Sequence, residues 1–241
     1  MQIGVLGLGR FGRFWAELLL QQADAVYAWN RTPRELPHGV QPLTDDIYER
    51  LDIVFLCTSI ASVRDIARYI APRLHPHTIV ADTCSVKMQP VADLIAELPR
   101  ENPILGTHPM FGPDSAGNGV EGLPLVLSPV RLEPEAMTAV QNFFMEYRMN
   151  ILHMSPEEHD REAAYTQGIT HFIGRVLKDL ELRPSPIATL GYTRLLQVME
   201  QTCNDPWSLF MDLQQRNPYT ADMRSKIKQS LDKFLFLLEN D

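Results

Sequence analysis

Cysteine is scarce in this sequence: Cys57, Cys84 and Cys203 are the three in 241 residues, far apart and without CxxC or Cys/His spacing. That excludes a disulfide scaffold and a zinc ribbon, and it suits a reducing compartment. Long apolar runs are missing as well, since no stretch reaches the roughly 18 residues that a membrane-spanning helix needs. Met1 runs directly into the strand-like Gln2 to Leu6 with no basic-then-apolar leader, so a soluble cytoplasmic chain with no membrane partner is expected. Positive charge is in deficit, with 22 Lys and Arg against 30 Asp and Glu and a net charge of −8. No general field therefore draws nucleic acid or an anionic surface, and any anionic ligand must be held by a local pocket. Internal repeats and low-complexity tracts are absent.

What is present is a core-forming composition, 45% hydrophobic, in a chain long enough for one or two domains. Up to Met154, short apolar runs (QIGVL, AVYAW, DIVFL, HTIVA, PILGT and LPLVL) alternate with amphipathic stretches. This pattern predicts an α/β domain over residues 1–154, with a doubly wound, mostly parallel sheet. From Ser155 the strands stop, and helices are expected over 156–182, 191–202, 207–215 and 220–238, giving an all-α domain over 155–241. Ser155-Pro156-Glu157-Glu158 is a good helix start, with a serine cap, proline in the first turn and acids behind it. The last helix is apolar at Ile227, Leu231, Phe234, Leu235 and Leu238, more than so short a domain can cover, so a homodimer interface is expected there.

GLGRFG (Gly7, Leu8, Gly9, Arg10, Phe11 and Gly12) follows the first strand and opens an apolar helix. In that context GxGxxG predicts dinucleotide binding: Gly7 permits the tight turn, Gly9 lets a pyrophosphate approach, and Gly12 lets helix and strand pack closely. After the second strand stands Asn30-Arg31-Thr32, where an NAD enzyme usually has a carboxylate for the ribose hydroxyls. A guanidinium pairs with a 2′-phosphate, so NADP is expected, with NAD the alternative if Arg31 is only a solvated charge.

Ligands of doubly wound sheets bind outside the carboxyl ends of the strands. Three polar clusters fall there: Cys57-Thr58-Ser59, the run from Asp82 to Lys87, and His108 in GTHPMFGPDSA. Pro109 and Pro113 remove donors and Gly112 is free to take φ > 0, so His108 is expected on a rigid loop after the fifth strand. In the helical part Asp160, Ala164, Gln167, His171 and Arg175 recur every three or four residues, which places them on one helix face as a candidate pocket wall.

These residues carry a resemblance. GLGRFG, DTCSVK, GTHPMFGPDS, MSPEEHDREAAYTQGITHFIGRVL and GYTRLLQVMEQTCNDPWSLFMDL resemble the prephenate/arogenate dehydrogenase family of tyrosine biosynthesis, nearest its plant-type members. The resemblance implies a Rossmann domain followed by a helical dimerisation domain, with the active site in the cleft between them, and chemistry that needs no metal. It makes His108 the base that takes the substrate's ring-hydroxyl proton, Ser85 its hydrogen-bonded relay, and His171 a holder of the substrate. One position departs from the family: where better-known prephenate enzymes carry a carboxylate-binding arginine, this chain has Glu200. Arg175 is the first replacement and Arg194 the second. Asp205 matches a position that is acidic in arogenate-specific members, as a carboxylate facing the arogenate ammonium would be; by itself it also reads as the cap of a helix starting at Pro206. The expected activity is NADP-dependent arogenate dehydrogenase. The alternatives are prephenate dehydrogenase, a nucleotide-sensing protein without turnover, and another β-hydroxyacid-type dehydrogenase, whose usual helical-domain lysine is here replaced by His171.

Overall fold

In a computed structural model that describes residues 1–240, the chain divides into two compact units, Met1–His159 and a second from Asp160 onward. The division falls inside a helix, α5 (Pro156–Ala163), just beyond the Ser155 cap. That cap is reciprocal: the Glu158 amide donates to Ser155 Oγ at 3.2 Å, and the Glu158 carboxylate accepts from Ser155 N at 2.8 Å.

The first unit is an eight-stranded sheet in the order β3-β2-β1-β4-β5-β6-β7-β8. Its members are β1 (Gln2–Leu6), β2 (Ala25–Trp29), β3 (Gln41–Pro42), β4 (Ile53–Leu56), β5 (Ile79–Asp82), β6 (Ile104–Pro109), β7 (Pro124–Arg131) and β8 (Asn150–His153). All neighbours pair in parallel except β6 and β7. Strand β4 (IVFL) is apolar throughout because both of its faces are covered. Ile3, Val5, Ile53 and Phe55 enter the core on one side, while Leu6, Val54 and Leu56 enter the core on the other, following the two-residue pleat. Helices α1 (Arg10–Leu19) and α4 (Pro134–Met145) close the first side, where Trp15 stacks on Phe144 and meets Phe55 edge-on. Helices α2 (Val63–Ile70) and α3 (Met88–Glu97) bury Val63, Ile66, Ile70 and Leu94 on the second.

Two strands escape the sequence pattern: β3 is only two residues long, and β8 is short and half-exposed. A third difference concerns His108, which is not on a loop. It lies within β6 opposite Val126, because antiparallel β7 continues the ladder past it and Met110 N donates to Pro124 O at 2.9 Å. Nor does Gly112 take positive φ; the left-handed positions of that region are Gly119 and Gly122.

The second unit contains α6 (Ile169–Asp179), α7 (Leu190–Asn204), α8 (Trp207–Arg216) and α9 (Thr220–Glu239). The single helix expected over 156–182 is broken by a π turn, Ala164–Gly168, and ends early, at Asp179, with Glu181 left-handed at φ 54°. Helix α9 buries only Thr220 and Met223 and leaves Leu231, Phe234, Leu235, Phe236, Leu237 and Leu238 exposed. No helix among the described residues is long and apolar enough to cross a membrane.

The approach of α1 to the sheet is the tightest point of the first unit, since a Cβ on Gly12 would fall on the carbonyl of Gly7, whereas one on Gly9 would meet open space. Gly12→Ala is therefore expected to cost about 1–3 kcal/mol through forced backbone shifts, and Gly9→Ala less than about 1 kcal/mol. Equal urea midpoints for the two variants would contradict this packing.

Candidate active site

Between β1 and α1 the chain turns at Gly7, with φ at +102°, and Gly7 N donates to Trp29 O at 2.8 Å. A side chain there would strike the carbonyl of Cys57. Asn30 staples the turn: its Oδ1 accepts from Leu8 N at 2.8 Å and its Nδ2 donates to Thr32 O at 2.6 Å. Asn30 is thus occupied by the protein itself, and Leu8 spends its N–H on it while burying its side chain; Phe11 likewise packs on Trp15. What faces outward is the open space beside Gly9 and the start of α1, whose first turn holds no acid. That end of a helix favours an anion. Arg10 pairs with Asp114, and Arg31 and Thr32 are exposed beyond β2. After β4, Thr58 Oγ1 is buried without a partner, whereas Ser59 Oγ meets Ser62 Oγ at 2.8 Å. Burial pushes the Cys57 thiol up to about 12, so it stays protonated and is no nucleophile. The open cradle and the orphaned hydroxyl fit a dinucleotide.

At the ends of β5 and β6 the side chains form a buried polar network. Lys87, fully buried, forms an ion pair with Asp82 and donates to the carbonyl of Thr107 at 2.5 Å. Thr107 Oγ1 donates to the carbonyl of Asp82, and Cys84 N donates to Asp82 Oδ2 at 3.0 Å. His108, 3% exposed, brings Nδ1 to 2.8 Å from His159 Nε2. Burial first, then His159 and Lys87, hold the His108 pKa well below its ordinary value. At neutral pH it is an uncharged imidazole, the form a base needs. Ser85 is half-buried in the loop after β5, and no hydrogen bond joins it to His108; the ring's partner is His159. Lys87 and His159 are the members that sequence reasoning left without a role, although both sit in segments that it singled out. Their signal is charge and polarity beside apolar neighbours: Val86 precedes the lysine, and His159, 2% exposed, meets His108.

A second cluster lies wholly within the helical unit. His171 and Arg175 project from α6 one turn apart, and Gly174 between them lets α7 approach so closely that a Cβ would strike Thr202 Oγ1. Arg175 Nη2 donates to Asp205 O at 2.7 Å and Thr202 O at 3.4 Å, and its guanidinium lies 5.4 Å from the ring centre of Trp207 and 5.6 Å from that of Phe210. His171 Nε2 stands 3.8 Å from Asp205 Oδ2. Burial lowers the His171 pKa, Asp205 pulls it back up and Arg175 pushes it down. His171 Nδ1, Arg175 Nε and Gln167 Oε1 are buried with no hydrogen-bond partner among the described residues. Such orphans are expensive unless a ligand completes them. The cap position of α8, which begins at Trp207, is Pro206; Asp205, with extended backbone, ends α7, and its carboxylate stands near His171. Arg194 is exposed on α7 and stands outside this cluster of contacts, and Glu200 is exposed as well. A guanidinium, a carboxylate and an imidazole together suit a zwitterionic amino-acid group. No group of three or more His, Cys, Asp or Glu among the described residues is arranged to hold a metal.

Residues 38–153 match the family described as "Prephenate dehydrogenase, nucleotide-binding domain", and residues 176–240 match "TYRAAT1-like, C-terminal domain". Arogenate dehydrogenase 2, chloroplastic, of Arabidopsis thaliana is 34% identical over 98% of this chain and 70% of its own length. Arogenate dehydrogenase 1, chloroplastic, of the same plant is 35% identical over 90% of this chain, which spans only 36% of that longer protein. Among solved structures, prephenate dehydrogenase from A. aeolicus in complex with hydroxyphenyl propionate and NAD+ superimposes with a TM-score of 0.75 at 20% identity, covering 99% of this chain and 91% of that one. Synechocystis arogenate dehydrogenase does so at 0.71 and 22%, covering 100% and 92%. These two establish the fold: a Rossmann-type sheet with a helical C-terminal part.

Proposed function

We infer the reaction from this premise: the chain belongs to the arogenate and prephenate dehydrogenase family. We propose that it oxidises L-arogenate to L-tyrosine with loss of carbon dioxide and with NADP as hydride acceptor. The observation that carries this reading is His108, a buried, neutral imidazole whose Nδ1 is taken up by His159. Its role is to take the proton of the ring hydroxyl. A nicotinamide dinucleotide supplies the site to which hydride passes from the same ring carbon. Once that carbon is a ketone, the ring carboxylate departs as carbon dioxide, its bonding electrons flow into the ring, and an aromatic phenol results. Proton transfer to a placed base contributes on the order of 10²–10⁴ in rate.

Arg175, with its unpartnered Nε, is assigned to the substrate's side-chain carboxylate, and Asp205 to the ammonium that distinguishes arogenate from the keto acid prephenate. His171 and Gln167 offer the remaining unpaired polar atoms. Support for NADP comes from the second strand: Asn30 is consumed in the turn, no carboxylate stands there to repel a 2′-phosphate, and Arg31 is exposed beside it. Free thiols at Cys57, Cys84 and Cys203 favour a reducing compartment, such as the cytoplasm. The uncovered apolar side of α9 supports a homodimer.

Absorbance at 340 nm with arogenate and prephenate, each with NADP and NAD, tests the reading. Arogenate with NADP is expected to be fastest; turnover of prephenate alone would reassign the substrate, and no turnover in any arm would leave a nucleotide-binding protein without this activity. Arg31→Ala should weaken NADP at least about tenfold more than NAD, and equal weakening would make Arg31 a bystander. Asp205→Asn should shift the arogenate-to-prephenate ratio about tenfold or more toward prephenate. The pH profile has a definite sign. A base works unprotonated, and a depressed His108 pKa keeps it so to lower pH; kcat/KM should stay level on acidification past the ordinary histidine value of 6.5 and fall only below it. An acid limb at or above 6.5 would exclude His108 in this role. Sedimentation equilibrium is expected to return twice the chain mass, and a monomer at micromolar concentration would remove the α9 interface.

A further inference from the structure

Buried side-chain amides bond to backbone carbonyls on either side of the π turn at Ala164–Gly168. A π turn closes onto the residue five positions along, so it adds one residue and rotates everything after it by about 100° relative to a plain α-helix. Its hydrogen bonds are poorer, and it persists where surrounding groups secure it. Here both ends are secured by one short stretch of chain, the last turn of α8 and the link that follows it to α9. Asn217 Nδ2 donates to the carbonyl of Asp160 at 2.7 Å, and Gln214 Nε2 donates to the carbonyl of Gly168 at 2.8 Å. Neither amide is free to turn over. Tyr219 N donates to Asn217 Oδ1 at 2.9 Å and Arg224 Nη1 donates to Gln214 Oε1 at 3.0 Å, so each amide oxygen is committed and each nitrogen must face the helix. Thr220 fills the space between, and a Cβ on Gly168 would stand 3.2 Å from its methyl group. Gln214, Asn217 and Thr220 are all buried.

Helix α6 begins at the end of this turn, and three residues in it come to matter at once. His171 meets the Asp205 carboxylate, Gly174 fits under Thr202, and Arg175 reaches the carbonyl of Asp205. All three contacts depend on the rotational phase that the extra residue sets. We propose that Gln214 and Asn217 are positioning residues for substrate binding, clamping the π turn so that α6 presents His171 and Arg175 in register with Asp205. The proposal rests on the substrate role given to those residues above, and it assigns Gln214 and Asn217 no contact with substrate.

Gln214→Glu and Asn217→Asp are the informative variants, because each keeps size and the contact to Arg224 or Tyr219 while replacing the donor to the helix by an acceptor. In each, KM for arogenate should rise about tenfold while kcat falls less than about threefold. The NADP dissociation constant, read by protein fluorescence, should not move. The imidazole NMR signals of His171, assigned through His171→Asn, should shift in both variants. If Gln214→Glu does not fold, Gln214→Met removes the donor without adding charge and is read in the same way. A wild-type protein that oxidises neither ring alcohol sinks the proposed function, and the NMR arm then decides the clamp alone. Unchanged KM and unchanged His171 signals, accompanied only by a lower melting temperature, would overturn the proposal and leave the two amides as scaffolding.

Discussion

The Nζ of Lys87 is the constraint on which the first unit's chemistry depends. An ammonium with no exposure is intolerable in an apolar interior unless its charge is matched and its donors are used. Asp82 at the end of β5 matches the charge, and the carbonyl of Thr107 in β6 takes a further donor. One cation therefore ties a strand end, the loop that follows it and the next strand, and the residue after Thr107 is His108. The Lys87 charge also acts on that histidine through space, adding to burial and to His159 in holding its pKa below the ordinary value. Losing one member of such a pair generally costs about 3–5 kcal/mol because the other is left buried and uncompensated. The arrangement places His108 and favours its neutral form by the same means.

The helical unit solves a different problem. It brings an arginine, a histidine and an aspartate together without letting them neutralise one another fully. Arg175 spends donors on backbone carbonyls and lies near two aromatic rings, while Asp205 faces His171 and stays about a third exposed on its side chain. Arg175 and His171 keep capacity for something else: among the described residues the buried Nε of Arg175 and Nδ1 of His171 have no hydrogen-bond partner. A helix one residue out of phase could not do this, which is why the π turn and its two amides matter as much as the residues that they position.

Much of this could be read from the residues. Short apolar runs predicted six of the eight strands, and GxGxxG after the first of them located the nucleotide turn, because both patterns follow from local backbone geometry. His108 was singled out as a candidate through the company it keeps, HPMFGP, but its setting was misjudged. Two prolines and a glycine signal a loop only when no neighbouring strand is there to extend the ladder, and β7 arrives from 15 residues further on. For Asp205 the residues offered two readings, a carboxylate facing a substrate ammonium and a helix cap; α8 starts at Trp207 with Pro206 in the cap position, and the carboxylate stands near His171.

What the sequence determined by itself is the order of elements, the glycine turn and the kinds of residue available for catalysis, since each depends on neighbours within a few positions. Tertiary structure alone decided the pairings: His108 with His159, 51 residues apart; Lys87 with Thr107; Arg175 with Asp205, 30 apart; and the amides of Gln214 and Asn217 with a helix some 50 residues earlier. A pairing of this kind exists only after burial has removed water as the competing partner, so no local pattern in the chain encodes it.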